Sequence, residues 1–254
     1  MTMPTAPTLN ARSACYVLRE DPELAETIDP ALAARALQEC VAATVRVPRG
    51  GWDPYALNGR IGDGIGMLVL HGRLLRRVGV DGRFGAELLG DGDLLRPWQG
   101  EDASPTLHQT TRWRALEPTW LALLDEAAAR RFAAYPQLTG RLVARALERS
   151  RHLSVNMAII HQARVTVRLH MLFWHLADRW GRVHHDGVVL PMHLTHAVLA
   201  DLVAARRPTV TTSLSDLARQ GLVLTRDPGW LLSGEPPGEL LAVQDVAVPV
   251  NSER

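Results

Sequence analysis

Lysine is missing from this 254-residue chain, and all 28 of its basic side chains are arginine. That bias is compositional and carries no functional conclusion. Cysteine is nearly missing too. Cys15 and Cys40 are the only two, too few for a disulfide framework, a four-thiolate iron–sulfur cluster or a cysteine-rich zinc site. No apolar run is long enough to span a bilayer; stretches such as "IGMLVL" are far too short, and the N-terminal "MTMPTAPTLNARSA" lacks the apolar core of a secretory signal. The expected location is therefore the cytoplasm, without a membrane partner. Signatures of catalysis are missing as well: there is no G-x-S-x-G elbow, no phosphate-binding Walker loop and no H-E-x-x-H, and "GDGIG" lacks the strand-to-helix context of a dinucleotide site. No enzyme activity and no catalytic residue are expected.

What is present suits a soluble globular protein of one large or two small domains, with 46% apolar residues to fill a core. The formal net charge of +1 argues against a uniformly basic surface. Between His161 and Gly234, however, eight arginines stand against five aspartates, with seven histidines besides. Nucleic-acid binding needs only such a local excess.

Residues 1–22 read as an irregular extension, because Pro4, Pro7 and Pro22 bracket polar residues and no period emerges. "PALAARALQECV", Pro30 to Val41, has helical spacing. Between Val45 and Trp120 glycines and prolines punctuate short apolar runs, the pattern of antiparallel strands in a small β-barrel or jelly roll, with "VDGR" a tight hairpin. Beyond Asp125 glycine almost vanishes and long helices follow, divided at Pro136. In the second of these, Leu138, Leu142, Ala146, Leu153, Met157 and Ile160 recur at three-, four- and seven-residue steps, a seam for core packing or for a partner, of which pairing two chains is the expected use.

From Val165 the order is helix, the short strand "GVVLP", two short helices and the hairpin "LVLTRDPGWLLSG", which is the order of a winged helix-turn-helix. In the second short helix Val210, Leu214, Leu217 and Ala218 form the expected inner face, and Pro208 sits in the first turn, where its missing N–H costs nothing. The outer face then carries Arg207, Thr211, Thr212, Ser215 and Arg219, with Thr209 and Ser213 on its flanks. Arginine can bridge guanine O6 and N7, and threonine can accept, donate or touch a thymine methyl. Arg206, Thr209 and Ser213 stand where a helix N-terminus can hold phosphate, and Arg226 in the hairpin is a further phosphate candidate.

At these residues the chain resembles the CRP/FNR family of bacterial transcription regulators, over nearly everything from Val45 to Gly234. "VTVRLHMLFWHLA" resembles the hinge and first helix of that family's DNA-binding domain, and "RRPTV" the start of its recognition helix. The resemblance implies that Arg207 reads bases, that Thr212 occupies a second base-reading position and that Pro208 replaces the family's common glutamate. "IGMLVLHGRLLRRVGVDGRFGAELLGDGDLL" resembles the middle strands of the cyclic-nucleotide-binding β-roll.

The implied fold is α+β: extension 1–22, a jelly-roll-like sensor domain over 23–135, a dimerisation helix over 136–162, the winged helix-turn-helix over 163–234 and a tail over 235–254. Implied partners are a second copy of the chain, a two-fold-symmetric DNA duplex, RNA polymerase and a small-molecule effector.

The family's nucleotide binders supply Gly-Glu and then Arg-Ser to hold ribose and cyclic phosphate. Here Arg96-Pro97 replaces the first pair, no Arg-Ser follows, and Glu101 and Asp102 bring negative charge. Tight cAMP binding is not expected, and no cofactor is assigned. Arg96, Trp98, Trp113 and Ser154 are the candidates for a different effector. His184, His185, His193 and His196 with Asp186 could supply a metal site, but "HHDG" reads first as a polar turn, so no metal is expected. The alternative function is a ligand or metal sensor whose DNA-binding module is vestigial, or which works through a protein partner.

Overall fold

The structure is a computed structural model that describes residues 14–97 and 109–238. The chain divides into two compact units, residues 1–153 and 154–254, with the division inside one long helix.

The N-terminal unit begins with strand β1 (Ala14–Tyr16) and helices α1 (Val17–Glu20), α2 (Pro22–Ala25) and α3 (Pro30–Glu39). The irregular extension expected for residues 1–22 is thus corrected for 14–22. β1 pairs with strand β2 (Val41–Val47), and Val17 and Leu18 are fully buried. These elements are too short for any period to register, so the stretch reads as featureless although its apolar residues are core. Residues 1–13 lie outside the described residues.

Strand β3 (Gly50–Trp52), a 3-10 turn at Pro54–Leu57 and helix α4 (Asn58–Ile61) follow. Strands β4 (Gly66–His71), β5 (Leu74–Val80), β6 (Arg83–Leu89), β7 (Leu94–Leu95), β8 (Gln109–Ala115) and β9 (Thr119–Leu124) complete two antiparallel sheets, ordered β1-β2-β9-β4-β7 and β3-β8-β5-β6. The expected "VDGR" hairpin joins β5 to β6, with Asp81 and Gly82 both at positive φ, the geometry a two-residue turn between right-twisted strands requires.

Because side chains alternate along a strand, each sheet sends one row inward. Val45, Val47, Met67, Val69, Leu121 and Leu123 of the first sheet meet Trp52, Leu74, Leu89, Trp113 and Ala115 of the second in one core. The first sheet's other face packs through Leu68, Leu70, Ala122 and Leu124 on Val17, Leu18, Leu24 and Ala36, and on Phe132 of helix α5 (Glu126–Phe132). Burial pushes the thiols of Cys15 and Cys40 up to about 11, so both stay protonated and unreactive at neutral pH.

Helix α6 (Pro136–Ile160) starts at the proline that marks the boundary in the sequence. Its exposed apolar stripe shares only Met157 with the expected seam. Leu138 and Leu142 are buried in the core just described, and Ala146 is exposed beside them. The large apolar side chains left in solvent are Val143, Leu147 and Met157. With Ser150 and Ser154 between them they advance by steps of four, three, four and three residues, a heptad-type stripe. A long helix with leucines on two faces gives two candidate seams, and only the positions of the sheets decide which one is core.

The second unit contains helix α7 (Val165–Trp180), strands β10 (Arg182–His184) and β11 (Gly187–Leu190), helices α8 (His196–Leu202) and α9 (Arg207–Arg219), and strands β12 (Val223–Arg226) and β13 (Gly229–Leu232). The strands form one antiparallel sheet ordered β10-β11-β13-β12. "HHDG" is the turn between β10 and β11, and "DPG" closes the β12–β13 hairpin. Leu169, Phe173, Leu199, Val210, Leu217 and Trp230 are among its buried residues, with the Phe173 and Trp230 rings 4.9 Å apart.

Candidate nucleic-acid interface

α8 and α9 are held at a short turn. Thr195 caps α8 by accepting from the Val198 N–H. The turn passes through Ala204 in the left-handed region at φ +50°. From α7 the Arg168 guanidinium donates to the carbonyl oxygens of Val203 and Ala204 at the turn, and of Gln162 at 2.6 Å. One side chain therefore ties the segment after α6 to the helix-turn-helix corner. The sequence reading missed it, because an arginine on α7 carries no signal that it will bind carbonyls 35 residues away.

α9 buries Val210, Leu214 and Leu217 as expected. Two of its residues change sides. Ser213, taken as a flanking phosphate candidate, is buried and hydrogen-bonded at 3.1 Å to the Thr166 hydroxyl of α7, while Ala218, taken as inward, is exposed. Both errors are of about one position in the angle of the helix: 213 lies three residues after Val210, on the core stripe, and 218 falls at its edge.

Arg206, Arg207, Pro208, Thr209, Thr211, Thr212 and Ser215 are all exposed. Arg206 is the N-cap of α9 and makes no side-chain cap, so the first-turn N–H groups of Arg207 and Thr209 face outward at the positive end of the helix dipole. Neither Arg206 nor Arg207 has a side-chain hydrogen bond or ion pair among the described residues.

The hydroxyls behave differently. Thr211, Thr212 and Ser215 donate to the carbonyls of Arg207, Pro208 and Thr211, one helical turn back. Their hydrogens are spent inward, which leaves oxygen lone pairs and threonine methyls on the outer face. Lone pairs suit the exocyclic amines of adenine and cytosine, and methyls suit thymine. His196, at the start of α8, places Nδ1 2.8 Å from the Thr211 hydroxyl oxygen and so fixes that side chain. In the sequence His196 was weighed only as a metal ligand, and its contact with α9 went unassigned.

Arg226 is less available than expected, because its guanidinium lies 3.3 Å from the Asp186 carboxylate. Asp186 also meets His185 and His184, and the three metal-type ligands lie within 4.8 Å of one another, all exposed.

Trp113 is buried on the inner face of the second sheet, Arg96 is half-buried just after β7, and Ser154 is exposed on α6 in the other compact unit. Trp98 lies outside the described residues, as do Glu101 and Asp102.

Residues 167–232 match the Crp-like helix-turn-helix domain. No curated protein matches the chain in sequence. Solved structures match in fold over most of its length. A mutant of CooA from Carboxydothermus hydrogenoformans superimposes with a TM-score of 0.56 at 14% identity, covering 96% of this chain and 97% of that one. The chain thus carries a Crp-like helix-turn-helix domain and shares its overall fold with these structures.

FixK2 from Bradyrhizobium japonicum matches with a TM-score of 0.53 at 17% identity, over 81% of this chain and 98% of its own. The c-di-GMP-responsive regulator CLP from Xanthomonas campestris gives 0.51 at 18%, over 82% and 100%. The matched Crp-like domain includes α8, α9 and the β12–β13 hairpin, and so carries the exposed arginines and hydroxyls of α9. Among the described residues no helix is long and apolar enough to cross a membrane.

Proposed function

We propose that this regulator binds, as a homodimer, a two-fold-symmetric DNA site, with α9 of each protomer in the major groove of successive turns about 34 Å apart. The observation that carries this reading is the pair of exposed guanidinium groups of Arg206 and Arg207, without partners among the described residues, at the uncapped start of α9. Arg207 reads a base, Arg206 and the Thr209 N–H hold phosphate, and Thr211, Thr212 and Ser215 offer acceptors and methyls to neighbouring bases. Pro208, standing where the family's common glutamate would, shifts which bases are preferred. The apolar stripe Val143, Leu147 and Met157 supports pairing of two copies along α6.

The N-terminal β-roll serves as a sensor that does not take cAMP in the usual way. Its occupant biases the placement of the DNA-binding domains through the segment from Gln162 to Val165, and RNA polymerase is the partner in transcription. The His184–His185–Asp186 cluster acts as a hydrogen-bonded turn rather than a metal site, since Arg226 already engages its carboxylate. The protein works in the cytoplasm and has no catalytic role.

Selection of bound duplexes from a random library tests the reading. The expected product is an inverted repeat with half-sites one helical turn apart. Enrichment of no sequence, or of an asymmetric single site, overturns it. Calorimetric titration with cAMP is expected to give no heat of binding in the micromolar range.

A further inference from the structure

The first turn of α7 and the last turn of α9 border an open cavity of about 310 Å³, large enough for a small organic molecule. It lies wholly within the second compact unit. Sequence spacing explains what faces it. Val167 and His170 follow Arg164 at three-residue steps, and Gln220 follows Asp216 by four, so each set shares one side of its helix. The two helices are tied beside the cavity by the Thr166 hydroxyl, which donates to that of Ser213 at 3.1 Å.

The apolar part of the wall is fixed by the way α9 ends. Gly221 takes a positive φ of 70°, its N–H donates to the Ala218 carbonyl, and the Leu222 N–H donates to the Leu217 carbonyl, both at 3.0 Å. This reversal folds the residue after the glycine back over the last turn of the helix. Leu217 and Leu222 both line the cavity as a result, and Pro237 completes that side.

The polar part carries both signs of charge. Arg164 is exposed and makes no side-chain hydrogen bond or ion pair among the described residues, and neither does the Gln220 amide. Arg164 is also the N-cap of α7 and supplies no side-chain cap, so the first-turn N–H groups beside it favour the same negative partner as its guanidinium. Asp216 pairs with Arg219, but that guanidinium is 77% exposed. An exposed pair of this kind is weak in water, and a carboxylate has lone pairs for a second cation besides.

We infer that this cavity is a binding site for a small zwitterion, an α-amino acid with an apolar side chain. Its carboxylate lies on Arg164, its ammonium on Asp216 and its carbon side chain against Leu217, Leu222 and Pro237. A simple anion would satisfy Arg164 but meet Asp216 with like charge, and a simple cation would do the reverse. Only a molecule with both charges leaves neither wall opposed. None of the charged residues of the site was singled out in the sequence, where Leu217 alone was named, as core.

The test is calorimetric titration of the full-length protein with L-leucine, with isocaproate, which is leucine without its ammonium, and with isoamylamine, which is leucine without its carboxylate. Saturable binding of leucine is expected, at least tenfold tighter than either analogue. Asp216→Asn should bring leucine and isocaproate to within about twofold of one another, and Arg164→Gln should do the same for leucine and isoamylamine. A variant that is merely destabilised would lose all three probes alike, and if one variant fails to fold the other still reads the opposite end of the ligand. Arg182→Gln, exposed on β10, should leave all three affinities unchanged. Absence of saturable leucine binding, an analogue that binds as well as leucine, or full discrimination retained in either folded variant overturns the inference. No DNA enters the titration, so its outcome is separate from the reading of α9 as a DNA-binding helix.

Discussion

Arginine does two different jobs in the two compact units. In the first, Arg145 pairs with Asp21 and Glu23, and Arg149 is bidentate on Glu87, both arginines being largely buried and tying α6 to elements more than 50 residues away in sequence. In the second, Arg206 and Arg207 stand in solvent at the start of α9, without partners among the described residues. A charge that has its counter-ion within the fold holds the fold together and is lost to any other molecule. A charge left open contributes little to stability and is free for a polyanion.

That contrast can be broken most severely at its buried end. Glu87→Ala leaves Arg76 and Arg149 without their shared carboxylate, and removing one partner of a buried pair costs about 3–5 kcal/mol; a fall of that size in urea-unfolding free energy is expected, and a change below 1 kcal/mol would show that the pair is solvent-screened after all. Arg207→Ala should leave stability untouched but cost about 1–3 kcal/mol in DNA affinity and relax preference at one base pair, read by competition against single-base variants of the site. Arg206→Ala should weaken every sequence alike and reduce the slope of log affinity against log salt by about 1. Arg226→Ala, because Asp186 already offsets its charge, should change affinity by less than about 0.5 kcal/mol, as exposed pairs generally do. A larger loss in that filter-binding measurement would mean that the ion pair opens on DNA.

How far these features could be read from sequence depends on how local their causes are. The "VDGR" and "DPG" turns, the start of α6 at Pro136 and the start of α9 around Pro208 were legible, since each is fixed by backbone chemistry within a few residues. The order of elements in the helix-turn-helix was legible for the same reason. Ser213 and Ala218 were misplaced because a period of 3.6 fixes a stripe only to within one side chain. The exposed stripe of α6 was misread because Leu138 and Leu142 obey the same spacing as Val143 and Leu147. The pairing of Trp113 with Trp52 and Arg76 was not legible, although Trp113 itself was singled out. Strand pairing brings together residues 61 positions apart, and no local pattern announces which tryptophan will face which arginine.

The left-handed turn at Ala204 sets a limit on how this domain can drift. A side chain with a Cβ pays roughly 1 kcal/mol to sit there, so glycine or asparagine would be welcomed and valine or isoleucine refused. Ala204→Gly would therefore raise the melting temperature modestly, and a hardier version of the same domain lies a single methyl group away.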